Sequence, residues 1–254
     1  MKNRLLSGIG ILLVLAMLCA VSAFADDTVR IGSAAELAAL GGKDFTGTLE
    51  LTQDIDMTDV AMEPITSFAG TFNGNGYTIK NLAISAELAE NYTTKGAALF
   101  AAFSGTARDV VFENPSITLT KGQNVGTAVL CGMVGEDGAT IENVGIVGGS
   151  IASEATKTTY AGALVGNAVN TSLTVKNCFT EAKIAYTSST KPSYNYFGGM
   201  LGYMMNVDLS FENCAVLGDV AAHTGYNVGN AGGFVGIING TNSGHTIDFT
   251  NCYF

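Results

Sequence analysis

The chain of 254 residues has no tryptophan, three prolines, two histidines and only 13% charged residues. Each shortage excludes something. His223 and His245 are too few for a histidine-built metal centre, which takes two or three imidazoles. Twelve Lys and Arg against 22 Asp and Glu leave a net charge of −10. That is the wrong sign for a surface that neutralises phosphates, so nucleic acid is excluded as a partner. No cysteines stand in a C-x-x-C pair and no H-E-x-x-H zinc motif occurs. What remains is apolar and small. The chain is 47% hydrophobic with 32 glycines, a composition that excludes a disordered chain and supplies a packed core.

Part of that apolar content is a leader. Lys2 and Arg4 precede an apolar run from Leu5 to Ala20, and Ala23-Phe24-Ala25 forms a small-x-small cleavage site before Asp26. This predicts a secretory signal over residues 1–25 and a secreted, extracellular or cell-surface location. Removing Lys2 and Arg4 takes the net charge from −10 to −12. No later stretch is long and apolar enough to span a membrane. Cys131, Cys178, Cys214 and Cys252 remain, an even number that permits disulfides in an exported protein.

The chain repeats. A hydrophobic-x-Asn signature ends at Asn81, Asn114, Asn143, Asn177, Asn213 and Asn251. A glycine-bounded run precedes several copies: Gly162 to Gly166, Gly198 to Gly202 and Gly232 to Gly236. Apolar residues two and four positions before each asparagine follow the period of a strand, and they are mostly β-branched or aromatic. The next apolar position comes one after the asparagine, as at Val144, Cys178, Cys214 and Cys252. On a straight strand that odd step lands on the opposite face. Keeping both positions inside requires the chain to turn at the asparagine, which tolerates the left-handed conformation. Stacked coils then align the amides into a hydrogen-bonded ladder. The fold expected is all-β, a parallel β-solenoid of about six coils.

Cys178, Cys214 and Cys252 then occupy one position in successive coils. That suits an interior stack of soft side chains, or a disulfide between neighbours about 4.8 Å apart. The position before the asparagine faces solvent, so Glu142, Lys176 and Glu212 alternate in sign up the outer wall. At the N-terminus, Ser33-Ala34-Ala35-Glu36 is a capping box that predicts a short helix from Ala34 to Leu40, stopped by Gly41-Gly42 and covering the first coil's edge. The domain plan is a leader at 1–25, a cap with the first strands at 26–69 and the solenoid at 70–254. The sequence stops partway round a coil, as a fragment of a longer solenoid would, or a chain whose open edge another molecule covers.

These residues resemble the GLUG-motif repeats of bacterial surface proteins, whose hallmark is a Gly-Gly-Leu-Val-Gly-like run followed by an Asn-Cys-Tyr-like step. Here it reads Gly232-Gly233-Phe234-Val235-Gly236 with Asn251-Cys252-Tyr253, and Gly198 to Gly202 with Asn213-Cys214. The segment Phe68 to Leu82 is similar to the lead-in of such repeats, whereas Ala101 stands where glycine is expected. The resemblance implies a right-handed β-helix, a secreted or surface setting and an adhesin-like role, with no chemistry of its own.

Two functions follow. The first is a non-catalytic surface module for adhesion, ligand binding or spacing, with glycans or host or cell-surface proteins as partners. Its contact loops are Ala152 to Tyr160 and Tyr186 to Tyr196, where Tyr160, Tyr186, Tyr194 and Tyr196 either stack on sugars or pack on the wall. The second is a carbohydrate-active lyase or hydrolase, by analogy of fold. It needs convergent carboxylates, for which Asp208, Glu212 and Asp219 are candidates, or calcium at Asp54, Asp56 and Asp59, a run that also reads as a solvated turn. No catalytic residue, metal ligand or cofactor is assigned.

Overall fold

In a computed structural model, the described residues are 28–88, 96–190, 192–222, 229–240 and 244–254. The predicted leader, His223 and part of the Tyr186 to Tyr196 loop lie outside them. The chain is all-β, with parallel sheets wound into a β-solenoid of about five turns, one fewer than the six asparagine signatures suggest, because those signatures are shared between two corners of the coil. Three sheets form its faces. The long sheet contains Asp44–Leu51, Ser67–Asn73, Phe100–Glu113, Cys131–Val147, Val165–Lys176, Leu201–Glu212 and Val235–Asn239 in that order. The second sheet stacks Ala83–Glu87, Ser116–Lys121, Ser150–Ser153, Lys183–Tyr186 and Val220–Ala221. The third stacks Val125–Thr127, Thr159–Ala161, Asn195–Gly198 and Gly229–Gly232.

The one helix among the described residues, Ala34–Ala38, begins as the capping box requires. Ser33 Oγ accepts from the Glu36 N–H, and the Glu36 carboxylate accepts in return from Gly32 N–H at 2.9 Å. Leu37 and Leu40 bury the helix against the core. Inward-facing side chains stack in columns that follow the strand register. Phe45, Phe68 and Phe103 lie in line, with ring centroids 5.1 and 5.4 Å apart and planes within 7° and 12° of parallel. Each such pair adds about 0.5–1.5 kcal/mol to the burial of its rings.

The asparagine corners are real, and every one of the six has left-handed backbone, with φ from 51° to 56°. The residues on either side both point inward: Ile141 and Val144, Val175 and Cys178, and Phe211 and Cys214 are all buried. The amides form a directional ladder. Asn177 Nδ2 donates to Asn143 Oδ1, Asn213 to Asn177 and Asn251 to Asn213, each at 3.1 Å.

The six do not share one column, however. Glu142 pairs with Arg108 and Val144 with Val110, so Asp109 stands opposite Asn143. Asp109 has φ 56° and its carboxylate accepts from Asn143 Nδ2 at 2.8 Å. Asn81 and Asn114 belong to a second corner, five residues further on (114 − 109), where Lys80 pairs with Glu113 and Glu113 with Val147. Both corners turn an inward residue into a following inward residue, so both produce the same hydrophobic-x-Asn pattern. The spacing of 29 between Asn114 and Asn143 is one coil of 34 minus that step of five. The outer charges divide in the same way. Lys80 pairs with Glu113 at 3.4 Å in one column, while Arg108, Glu142, Lys176 and Glu212 follow each other in the next, with Lys176 and Glu212 3.0 Å apart.

A third bend went unread in the sequence. Asn170 and Asn206, with φ 51° and 54°, turn the long sheet in mid-strand, and Asn206 Nδ2 donates to Asn170 Oδ1 at 2.9 Å. The glycine column has a steric cause. A Cβ on Gly166 would lie 2.4 Å from Gly126 Cα, one on Gly202 2.5 Å from Ala161 N and one on Gly236 2.6 Å from Phe197 N. The long sheet therefore crosses against the third-sheet strand of the coil before it, and backbone blocks any side chain. Ala101 does stand in line with Gly132 of that column.

Candidate functional site

The pairings Phe179 with Ala215 and Ala215 with Tyr253 place Cys178, Cys214 and Cys252 in one column, as the repeat predicted. All three are free thiols, as is Cys131. Each column thiol reaches back across its corner to a carbonyl two residues earlier: Cys178 to Lys176 at 3.1 Å, Cys214 to Glu212 and Cys252 to Thr250 at 3.3 Å. Their role is interior packing that closes the corner. Burial pushes the Cys131 thiol up, away from the reactive thiolate.

Of the carboxylates singled out for chemistry, Asp54, Asp56, Asp208 and Glu212 are separately engaged, while Asp219 meets the second sheet through its backbone carbonyl, which accepts from Ile184 N–H at 2.8 Å. Asp56 Oδ1 accepts from Thr58 N–H, Thr58 Oγ1 and Asn81 Nδ2, at 2.9, 2.7 and 2.9 Å. Those bonds, the Thr58 hydroxyl first, lower its pKa to about 2. Asp54 accepts from Thr78 N–H at 2.9 Å, and Asp59 is a left-handed turn residue with φ 58°. The run is a hydrogen-bonded turn that braces the next coil. Asp208 accepts from Thr246 N–H at 2.8 Å beside His245, whereas Glu212 is paired with Lys176. Asp208 and Glu212 sit four residues apart on one strand, about 13 Å along it, beyond the separation that glycosidase pairs use.

The tyrosines are the residues the fold does bring together. The outward side of the third sheet stacks Gly126, Tyr160, Tyr196 and Asn230 in register. The adjoining part of the long sheet stacks Met133, Asn167, Tyr203 and Ile237. Tyr203 crosses from the second column onto the first: its ring centroid is 4.4 Å from that of Tyr160 and the planes are 25° apart. Tyr160 and Tyr196 stack at 6.0 Å with planes 18° apart, and Tyr194 and Tyr196 lie 6.1 Å apart with planes at 9°. Tyr160 forms the floor at 8% exposure, Tyr196 and Tyr203 are half-buried, and Tyr194 is 41% exposed. Burial, helped by the neighbouring phenols of Tyr203 and Tyr196, pushes the Tyr160 hydroxyl up to about 12.

Polar partners at this wall are amides. Tyr160 Oη donates to Asn124 Oδ1 at a long 3.4 Å, and Asn239 Nδ2 donates to Tyr203 Oη at 3.1 Å. Asn167, only 5% exposed, has a buried Oδ1 without a hydrogen-bond partner among the described residues. Tyr186 does not join the cluster. It lies on the second sheet in register with Ser153, and its hydroxyl donates to Thr190 O. Tyr203 was missed in the sequence because it sits inside the repeat itself, directly after the glycine run at 198–202, rather than in a loop. Its spacing of seven from Tyr196, matched by Tyr160 and Asn167, was the available signal.

The fold and its columns define a parallel β-solenoid with a tyrosine-rich side wall. No known family profile matches the chain. A stretch of 104 residues is 33% identical to halomucin of Haloquadratum walsbyi, covering 41% of this chain and 1% of that protein. A crystal structure from Bacteroides ovatus, provisionally assigned as an immunoglobulin A1 protease, is similar over 89% of this chain and 75% of its own. The TM-score is 0.57 and the identity 19%, a likeness of fold. No helix among the described residues is long and apolar enough to cross a membrane.

Proposed function

We propose that the protein is a secreted or cell-surface repeat module of the GLUG type, non-catalytic, that acts in adhesion or ligand binding. The observation that carries this reading is how the polar side chains are used. Asn143, Asn177, Asn213 and Asn251 are consumed in the corner ladder, Asp56 braces a turn, and on the outer wall Lys80 pairs with Glu113 and Lys176 with Glu212. The tyrosine wall is left as the concentration of recognition chemistry. Export is supported by the leader at 1–25. The likeness to halomucin, confined to 1% of that protein, is of the extent expected for one module of a much larger polypeptide. Leu217, Ile238, Phe249, Tyr253 and Phe254 are exposed in the last coils, an apolar edge suited to a further coil of the same type.

Protease shaving of intact producing cells, read by mass spectrometry, tests the location. Release of peptides from the solenoid is the expected result; their retention inside the cell would refute it. Incubation with neutral and acidic polysaccharides tests the chemistry. New reducing ends or unsaturated sugars would replace the module reading with the enzyme one.

A further inference from the structure

The tyrosine wall carries a more specific statement, which rests on the reading of the protein as a surface binding module. The geometry points to a binding site for a neutral glycan on the outer wall, formed by Tyr160, Tyr194, Tyr196 and Tyr203 with the amides of Asn124 and Asn167.

The chemistry of the wall selects the ligand class. Its two outward columns, Gly126 to Asn230 and Met133 to Ile237, contain no charged residue. Tyrosine rings offer flat apolar faces to the C–H side of a sugar ring, and their hydroxyls and the neighbouring amides offer paired donors and acceptors to its hydroxyl groups. The existing polar contacts are weak enough to exchange. The Tyr160 Oη to Asn124 bond is 3.4 Å, and Tyr203 Oη, which accepts from Asn239 Nδ2 at 3.1 Å, spends its own proton on the Met205 sulfur at 3.6 Å, leaving that donor open to a better acceptor. Asn167 supplies the independent sign of a missing partner. Its Oδ1 is buried without a hydrogen bond, in register beside Tyr203 and in the same coil as Tyr160. An unpaired buried acceptor is costly, and a ligand hydroxyl reaching it as the rings shift would recover that cost.

Acidic polymers are disfavoured by the protein's net charge of −10, which lacks any cationic relief within the columns. A proline-rich peptide would also find aromatic rings here. Its prolines offer carbonyl acceptors but no N–H donor, however, so they match the acceptor at Asn167 less well than the many hydroxyls of a sugar do.

The full-length secreted protein is titrated by calorimetry with soluble β-glucan, xylan and galactomannan. Alginate, polygalacturonate and a proline-rich peptide serve as comparisons. Tyrosine emission gives a second readout, since the chain has no tryptophan and four of its nine tyrosines line this wall. At least one neutral polymer is expected to bind and to change that emission. Tyr194→Ala, at the exposed rim, should weaken binding roughly tenfold with the melting temperature unchanged. Tyr203→Phe, which keeps the ring and removes the hydroxyl, should weaken it about threefold. Tyr186→Ala, on another face, should leave it as it was. Failure of all neutral polymers to bind, equal affinity in the Tyr194→Ala variant, or preference for the acidic polymers or the peptide would each overturn the site. A cell-surface protein that binds its ligand through other residues would retain the module reading and remove this one. Cleavage of a probe would remove the module reading itself.

Discussion

Replacing Asn177 tests the corner ladder at its centre. Asn177 sits at φ 52°, donates to Asn143 Oδ1 and accepts from Asn213 Nδ2, both at 3.1 Å. Asn177→Ala removes both hydrogen bonds, worth about 0.5–1.5 kcal/mol each. It also forces a Cβ residue without a compensating side-chain bond into the left-handed region, at about 1–2 kcal/mol. The expected loss is therefore about 2–5 kcal/mol, from twice the single-bond value plus the backbone cost. Asn177→Gly removes the same hydrogen bonds but adopts the conformation freely, offset by its own entropy cost of about 0.5–1 kcal/mol. Glycine should thus be the milder change, by up to about 1.5 kcal/mol. Asn177→Asp retains acceptance from Asn213 but sets a carboxylate against Asn143 Oδ1, and should fall nearer alanine. Urea unfolding followed by far-ultraviolet circular dichroism measures the three differences. An alanine variant as stable as the original would refute the ladder and the left-handed turn together, and a glycine variant less stable than alanine would refute the cost assigned to the turn.

Other expectations follow from the same geometry. Gly202→Ala would set a Cβ 2.5 Å from Ala161 N and 2.6 Å from Gly166 O, so it should cost about 1–3 kcal/mol in the same unfolding assay; an unchanged midpoint would show that the crossing relaxes. In native protein, iodoacetamide should modify the partly exposed Cys252 well before the buried Cys131, Cys178 and Cys214, and all four should react after denaturation without reductant; fewer than four would reveal a disulfide. The Tyr160 hydroxyl, raised to about 12, contributes stability that is complete below the unfolded value near pH ~10 and is lost as pH rises through about 12. The difference between ultraviolet titrations of the native protein and Tyr160→Phe should have its midpoint there, and a midpoint near pH ~10 would contradict the burial.

Much of this architecture was legible in single residues. The step from Ile141 to Val144 across Asn143 already required a turn, because a straight strand cannot point both side chains inward. The thiol column followed from the position after the asparagine, and the helix cap from Ser33 and Glu36. Periodic features reach into sequence because each coil repeats the same local geometry. The candidate site was half legible: Tyr160, Tyr194 and Tyr196 do converge, Tyr186 does not, and Tyr203 entered unannounced. Loops were the natural place to look, yet the wall is made by strands from two sheets.

By itself, then, the sequence determined the solenoid class, the coil length and the left-handed corners, since these depend on side-chain alternation and on the conformational tolerance of asparagine. Only the tertiary structure decided which residues share a column. Asp109, without the signature, stands beneath Asn143, while Asn81 and Asn114, with it, stand at the second corner. Local pattern cannot separate two corners that place the same residue types around the same turn; inter-strand register can. The tyrosine wall has the same origin, because Tyr203 meets Tyr160 only when one sheet crosses against the next coil at the glycine column.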